Sequence, residues 1–239
     1  TDVTYTTDSG VGTITINRPD RYNALRGRTV DELLAAFKYA WVDQEVGAVI
    51  LTGAGEKAFC TGGDQKERAA TGGYGETETG MFEIESLHKL IRAIPKPVIA
   101  AVDGYCIAGA TQILPFCDFV VTSETAAISG SPMIPLGGGF ITPLLAYKIG
   151  ISRAKLLSFI PGKSITGKEA VEWGLAVQSV PSVDLIDTVK SLALEIARTP
   201  TSVLSLKKMA INRTLVAQGF RDYAYAGAET DVVIHGIKE

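Results

Sequence analysis

The sequence predicts an α/β protein built from repeated strand and helix units, and three patterns carry that prediction. Short runs of β-branched and apolar residues alternate with amphipathic helical patterns. Two of these runs, "GAVILTG" and "PVIAAV", are continuously apolar, as is typical of strands buried on both faces of a parallel sheet. From residue 185 onwards the pattern is almost entirely helical. The 239 residues therefore divide into a predicted α/β core, 1–182, and a helical C-terminal region, 183–239.

The elements of the core follow in order along the chain. "VGTITINRP" predicts a strand that ends at Pro19, and the apolar spacing from Thr29 to Trp41 predicts an amphipathic helix with Thr29 as its N-cap. A helix stopped by Pro95 leads into the strand "PVIAAVDGY". The later segments predict a short helix, a strand, two further helices and a last short strand: "AGATQILPF", "CDFVVTSE", "FITPLLAYKIG", "SRAKLLSFI" and "GLAVQSVPS". Residues 68–80, rich in glycine and small polar residues, predict a mobile loop.

Composition excludes several classes of partner and location. The formal net charge is −3 and no run of Lys and Arg is present, so neither nucleic acid nor an anionic membrane is an expected partner. Three irregularly spaced cysteines and two histidines fit neither a disulfide framework nor a metal site. The N-terminal segment "TDVTYTTDSG" lacks the pattern of a signal peptide, and we expect a cytoplasmic protein.

Two glycine-containing turns each follow a predicted strand and open a predicted helix. They are "CTGGDQ", with Gly62 and Gly63, and "CIAGATQ", with Gly109. Glycine lets the backbone approach a ligand closely, and the start of a helix has free N–H groups. Two such turns could direct two donors at one developing oxyanion. Both are equally consistent with ordinary tight turns of an α/β protein.

Four segments resemble, in order and spacing, the crotonase (enoyl-CoA hydratase/isomerase) superfamily: "NRPDRYNALRG", "AVILTGAGEKAFCTGGDQKE", "IPKPVIAAVDGYCIAGATQILPFCDFVVTSE" and "TGKEAVEWGLA". The resemblance implies a ββα spiral core followed by helices that form trimers. It implies an acyl-CoA substrate whose thioester carbonyl is bound by the backbone N–H groups of Gly63 and Gly109. Coenzyme A is then the carrier of the substrate, and no other cofactor and no metal are expected.

The two positions where a hydratase of this superfamily carries glutamates are occupied here by Gln112 and Met133. Neither an amide nor a thioether can transfer a proton at neutral pH, so simple hydration of a double bond is doubtful. "FCTGGDQ" resembles a narrower subgroup, the 2-ketocyclohexanecarboxyl-CoA hydrolases and 1,4-dihydroxy-2-naphthoyl-CoA synthases. In that subgroup a loop tyrosine stands near the place of Tyr74. Pro135 and Gly137 stand where the subgroup has a serine and an aspartate.

The resemblance also implies a path for the CoA moiety. Its expected lining comprises residues before the first helix and residues around the first glycine turn: Asn23, Ala24, Leu25, Arg26, Lys57, Ala58, Cys60, Gly62, Asp64 and Gln65. The sequence also predicts a structural role for Asp64, as the cap of the next helix.

The remaining titratable residues have structural interpretations. Asp118 leads a strand and is expected to be structural, and His88 is expected at the surface or half-buried in its helix. Cys60 and Cys106 border the glycine turns and are predicted to be packing residues first and nucleophiles second.

Three functional hypotheses remain open. The first is a ring-opening hydrolase that cleaves a C–C bond of an alicyclic β-oxoacyl-CoA, with Tyr74 as an auxiliary donor. The second is an enoyl-CoA hydratase/isomerase or decarboxylase with an atypical acid/base set. The third is a non-catalytic acyl-CoA-binding protein. For each, the resemblance implies a homotrimer or a dimer of trimers.

Overall fold

The computed structural model describes residues 1–72, 84–130 and 143–219. In these ranges the strands are β1 Val3–Asp8, β2 Val11–Ile16, β3 Ala48–Gly53, β4 Ala58–Cys60, β5 Val98–Val102, β6 Tyr105–Ile107, β7 Phe119–Ser123, β8 Ala127–Ser129, β9 Ser164–Ile165 and β10 Gln178–Val180. The helices are α1 Gly27–Val42, α2 Gln65–Thr71, α3 Ile84–Ala93, α4 Gly109–Ile113, α5 Pro143–Ile149, α6 Ile151–Phe159, α7 Gly167–Glu172, α8 Leu185–Ala197 and α9 Thr201–Ala217.

The strands form two sheets, and the chain moves between them in a regular way. The larger sheet has the order β1-β2-β3-β5-β7-β10, and the smaller has the order β4-β6-β8-β9. Each strand of the parallel set β3, β5 and β7 is followed by a strand of the smaller sheet, β4, β6 or β8, before the chain returns. This repeated strand–strand–helix arrangement confirms the predicted α/β spiral core with a helical C-terminal region.

The central strands are buried on both faces, as their continuous apolar sequences predict. All five residues of β5 are fully buried. One apolar cluster lies on the face of the larger sheet that meets α1 and α3. A second cluster lies on the opposite face, where α8 packs Leu185, Val189 and Ala193 against Ile50 and Ile99. Thus α8 covers the core sheet although it lies beyond residue 182, and the boundary drawn there remains a prediction.

The start of α1 differs from the prediction. The helix begins at Gly27, with Arg26 as the N-cap, so the assignment of Thr29 as N-cap was wrong. Thr29 lies one turn into the helix, where its hydroxyl accepts a hydrogen bond from the Arg26 backbone N–H at 3.3 Å. The same hydroxyl donates to Asp2 Oδ2 at 2.7 Å. The polar side chain is therefore satisfied by a contact between distant segments, which a local capping pattern does not reveal.

The last described helix, α9, is attached to the core by a charged side chain. Lys208 is its only buried residue in the described range, and the Lys208 Nζ donates to Asp118 Oδ2 at 2.7 Å. It also donates to the backbone oxygens of Ile91 and Lys96. Asp118 in turn accepts from the Val98 N–H at 2.8 Å, which confirms its predicted structural role. Within the described ranges, no helix is both long and apolar enough to cross a membrane.

Candidate active site

The two glycine turns lie side by side because their strands are neighbours. β4 and β6 pair in parallel, with Cys60 opposite Cys106, so the turns that follow them leave the same edge of the smaller sheet. One turn carries Gly62 and Gly63 into α2, and the other carries Gly109 into α4. The parallel register therefore brings together two segments that are about 46 residues apart in the chain.

The contact between the turns leaves no room for a side chain at Gly62. A Cβ built on Gly62 would lie 2.9 Å from the backbone N of Gly109 and 3.0 Å from the Ile107 oxygen. Gly62 also has φ +78°, a left-handed conformation that L side chains rarely adopt. A Cβ built on Gly109 would lie 4.0 Å from the backbone N of Gly63. The backbone nitrogens of Gly63 and Gly109 therefore both lie close to Gly62.

These two backbone N–H groups are available for a ligand. Neither Gly63 nor Gly109 donates its N–H to a backbone acceptor within the part of the chain that the structure describes. Both residues are partly exposed. Two neighbouring N–H groups that have no backbone acceptor among the described residues, at a partly exposed position, meet what an oxyanion requires of its binding site.

The second turn is held in a strained conformation by hydrogen bonds from its neighbours. Ala108 has φ 54° and ψ −120°, which is unusual for a residue with a side chain. Its N–H donates to the Ser129 oxygen at 3.0 Å. The Thr111 hydroxyl, which is buried, lies 2.7 Å from the same Ser129 oxygen and 3.0 Å from the Cys106 oxygen. The surrounding sheet thus fixes the backbone that presents the Gly109 N–H.

The residues predicted along the CoA path separate into two groups. Most members of the set are buried, namely Asn23, Ala24, Leu25, Ala58, Cys60, Gly62 and Asp64. The Arg26 side chain pairs with Asp2. Lys57 is exposed, with its Nζ 6.0 Å from the centre of the Tyr22 ring. Gln65 is exposed, and its Nε2 donates to the Gly63 oxygen at 3.2 Å. Lys57 and Gln65 are therefore the most exposed members of this set, and the Arg26 side chain is 30% exposed.

Asp64 confirms its predicted role as a helix cap. Its Oδ1 accepts the backbone N–H groups of Lys66 and Glu67 at 3.1 and 3.2 Å. Its Oδ2 accepts from Arg18 at 2.9 Å. Burial alone would raise the pKa of Asp64, but the helix N–H groups and the Arg18 charge outweigh it and lower the pKa. Both carboxylate oxygens already have partners, so this side chain is a structural element of the turn.

Of the three side chains predicted at catalytic positions, Gln112 lies within the described residues. Gln112 lies in α4, half-buried, and its N–H closes the first turn of that helix by donating to the Ala108 oxygen. It therefore follows Gly109 by about one helical turn. Tyr74 and Met133 lie outside the described residues.

The cysteines and His88 are buried. Burial raises the pKa of Cys60 to about 12, and raises that of Cys106 well above its ordinary value, so both are thiols that pack as predicted. The expectation for His88 was wrong, because its side chain is fully buried and stacks on Phe116 with ring centres 4.6 Å apart. Burial lowers the pKa of His88 to about 3, so the imidazole is neutral at pH 7. In the described ranges no cluster of His, Cys, Asp and Glu could hold a metal ion.

The sequence interpretation missed Arg18. This residue lies in the quoted "NRP" segment but received no role there. In the structure it is buried and contacts Asp64, the residue that follows Gly63. A partner 46 residues away leaves no local signal, although an arginine directly after a buried strand is an unusual residue for a core position.

Comparison with known proteins gives the family. The family model described as enoyl-CoA hydratase/isomerase matches residues 6–229, so the chain belongs to this family of the crotonase superfamily. An enoyl-CoA hydratase/isomerase from Novosphingobium aromaticivorans is 34% identical, with a TM-score of 0.88, over 98% of this chain and 86% of that one. One from Xanthobacter autotrophicus is 30% identical, with a TM-score of 0.89, over 99% and 88%. An enoyl-CoA hydratase from Bacillus anthracis is 30% identical, with a TM-score of 0.79, over 95% and 90%.

Proposed function

We propose that this crotonase-superfamily enzyme binds an acyl-CoA thioester and stabilises its enolate with the backbone N–H groups of Gly63 and Gly109. The single observation that carries the proposal is the convergence of the two glycine turns around Gly62. Backbone donors fixed before the reaction stabilise negative charge without reorganising, and a single donor of this kind contributes roughly 10²–10³-fold to the rate. Lys57 and Gln65, the exposed members of the predicted CoA path, would contact the CoA moiety.

The proposed reaction is the hydrolytic opening of an alicyclic β-oxoacyl-CoA. Water adds to the ring ketone, and the bond between that carbon and the thioester α-carbon breaks. The electron pair moves onto the thioester as an enolate, which the two N–H groups hold. The α-carbon then takes a proton, and the product is an open-chain dicarboxylic mono-thioester of CoA. Tyr74 is proposed as an auxiliary hydrogen-bond donor to the enolate or to the second carbonyl.

Gln112 weighs against simple hydration by the usual pair of glutamates. It stands where a hydratase carries a glutamate, and an uncharged amide cannot act as the general acid or base that adds water to a double bond. The names of the similar solved structures favour a second candidate, an enoyl-CoA hydratase/isomerase or decarboxylase that uses a different acid/base set. In either case, coenzyme A is the carrier of the substrate and no other cofactor is part of the proposal.

The proposed assembly is a homotrimer or a dimer of trimers. Its support is the large apolar side chains exposed on helices α6 and α9. In α9, Leu206 and Ile211 are 62% and 71% exposed, and in α6 Phe159 is 72% exposed. A subunit interface would remove such side chains from water. Sedimentation equilibrium tests the assembly directly, and a monomer at micromolar concentration would contradict it. A cytoplasmic location remains part of the proposal.

Deuterium exchange at the α-carbon tests the enolate chemistry. The enzyme is incubated in heavy water with 2-ketocyclohexanecarboxyl-CoA and with crotonyl-CoA, and both thioesters and products are followed by mass spectrometry. Exchange with ring opening of the first substrate is the expected result. Hydration of crotonyl-CoA without ring opening would favour the second candidate. Tight binding of both thioesters without exchange or turnover would identify a non-catalytic acyl-CoA-binding protein.

A further inference from the structure

The segment that carries Gly63 is fixed by a short ladder with Leu25. The Leu25 N–H donates to the Gly62 oxygen at 2.7 Å, and the Asp64 N–H donates to the Leu25 oxygen at 2.8 Å. In a parallel bridge of this kind the residue between the two bonds has its own N–H and C=O on the opposite side. The Gly63 N–H therefore points away from Leu25, and this direction depends on how firmly the ladder is held.

Arg18 holds both sides of this ladder. Its guanidinium donates to the backbone oxygen of Ala24, the residue before Leu25, and to Asp64 Oδ2 at 2.9 Å. The side chain is buried, with 10% of its surface exposed. A single planar group thus joins the neighbours of the two bridge partners, Leu25 and Gly63.

The backbone of Arg18 is itself anchored. Its N–H donates to Asn23 Oδ1 at 2.9 Å, and the fully buried Asn23 amide donates to the Ala54 and Ala58 oxygens at 2.9 and 2.7 Å. On the side away from the ladder, the Arg18 Nε lies 3.5 Å from Asp2 Oδ2. The Arg18 side chain is therefore fixed within the core and has little freedom to rotate.

We propose that Arg18 is a positioning residue that aims the Gly63 N–H at the thioester oxygen by clamping Ala24 to Asp64. This inference rests on the proposed function of Gly63. The guanidinium bonds the Ala24 oxygen and the Asp64 carboxylate with two different nitrogens of one rigid plane, which fixes the distance between them, whereas an ammonium is a compact point charge on a flexible stem. A role limited to stability predicts that Arg18→Lys affects folding alone, whereas a positioning role predicts a specific loss of oxyanion stabilisation.

The test separates enolate stabilisation from CoA binding. The probe is acetoacetyl-CoA, which loses a C2 proton to the buffer and forms an enolate that absorbs in the near ultraviolet. The enolate-to-keto ratio of the bound probe reports the oxyanion site, and the affinity for free CoA, which has no thioester carbonyl, reports the rest of the site. The variants are Arg18→Lys and Asp64→Asn. Asparagine is as good a helix cap as aspartate, so the second variant keeps α2 in place if the first folds poorly.

The matched control is Val189→Ala, which removes buried volume where α8 meets the larger sheet and contacts neither glycine turn. We expect both Arg18→Lys and Asp64→Asn to lower the enolate-to-keto ratio about tenfold, a fraction of the effect of losing a whole oxyanion donor, with unchanged affinity for free CoA. The control loses melting temperature but keeps the wild-type ratio. Wild-type ratios in both variants, or a parallel loss of CoA affinity, would overturn the positioning role. A wild-type protein that binds the probe only in its keto form would instead refute the proposed function.

Discussion

Replacing Gly62 with alanine tests the geometry of the candidate site most directly. The methyl group would stand 2.9 Å from the Gly109 nitrogen, a distance that real Cβ atoms do not adopt. Forcing an L side chain into the left-handed region costs about 1–2 kcal/mol, and overpacking costs a further ~1–3 kcal/mol. The loss of chain entropy in the unfolded state offsets about 0.5 kcal/mol. We therefore expect Gly62→Ala to lower the free energy of unfolding by about 1.5–4.5 kcal/mol.

The chain contains a control glycine that has a positive φ but no steric conflict. Gly150 has φ +84°, close to the +78° of Gly62, but a Cβ built there would meet no atom of the described residues within 4 Å. Gly150 has ψ 153°, a region that is almost exclusive to glycine, so Gly150→Ala should show a conformational penalty of about 1–3 kcal/mol with no steric conflict. Urea denaturation of both variants compares this penalty with the loss in Gly62→Ala, which adds the steric conflict at Gly109.

The two variants should differ more strongly in activity than in stability. In Gly62→Ala the methyl group stands beside the Gly109 nitrogen, so we expect α-proton exchange to fall by about 10²–10³-fold, the effect of losing one oxyanion donor. Gly150→Ala should exchange at the wild-type rate. Isothermal titration with free CoA establishes that both variants still bind the carrier. A folded Gly62→Ala protein with wild-type exchange would refute the placement of the oxyanion site between the two turns.

Three further predictions concern the buried polar groups and the strained turn. Burial alone would raise the pKa of Asp2, but the Arg26 hydrogen bonds dominate a set of contacts that lower it from 3.8 to about 2. The resulting stability, about 2 kcal/mol, is present above pH 4 and is lost as the pH falls through 2, and Asp2→Asn should flatten that limb of an acid-unfolding curve. Lys208→Met leaves the carboxylate of Asp118 without its charge partner and should lower the free energy of unfolding by about 3–5 kcal/mol, measured by urea denaturation; a loss below 1 kcal/mol would contradict the buried pairing. Ala108→Gly relieves the positive φ, which costs about 1–3 kcal/mol, but loses about 0.4–1 kcal/mol to the greater entropy of the unfolded chain, so the melting temperature should rise by a few degrees; a lower value would show that the conformation is not strained.

The sequence predicted the parts of the fold that depend on local pattern. The apolar runs at β3 and β5 and the glycine turns after β4 and β6 were all predicted because their periodicity and composition are visible within a few residues. The burial of His88 was missed because Leu87 and Leu90 define the apolar face of α3, and the sequence does not show whether the histidine between them lies on that face or beside it. Its stacking on Phe116 depends on a contact across the fold, which no spacing within α3 reveals.

The polar contacts of the candidate site were beyond prediction for a related reason. The pairing of Arg18 with Asp64 and that of Lys208 with Asp118 each join residues far apart in the chain. A charged residue in a sequence favours a solvated surface, and only the folded chain shows which charges are buried with partners. The cap formed by Asp64 was predictable because it involves the N–H groups two and three residues further along the chain, whereas the contact of Asp64 with Arg18 was not.

In the candidate site, the groups proposed to stabilise the negative charge of the enolate are different from the groups that would transfer protons. The proposed oxyanion donors are backbone groups, held by the parallel register of β4 and β6 and by the Leu25 ladder, and their presence does not depend on any catalytic side chain. Such a site serves any reaction that passes through a thioester enolate, which is how one fold accommodates hydration, isomerisation and C–C cleavage. The choice among these reactions lies with the side chains around the α-carbon. Gln112, one turn beyond the Gly109 donor, replaces a carboxylic acid with a group that can orient a substrate but cannot accept its proton, and this difference argues against hydration by the usual pair of glutamates.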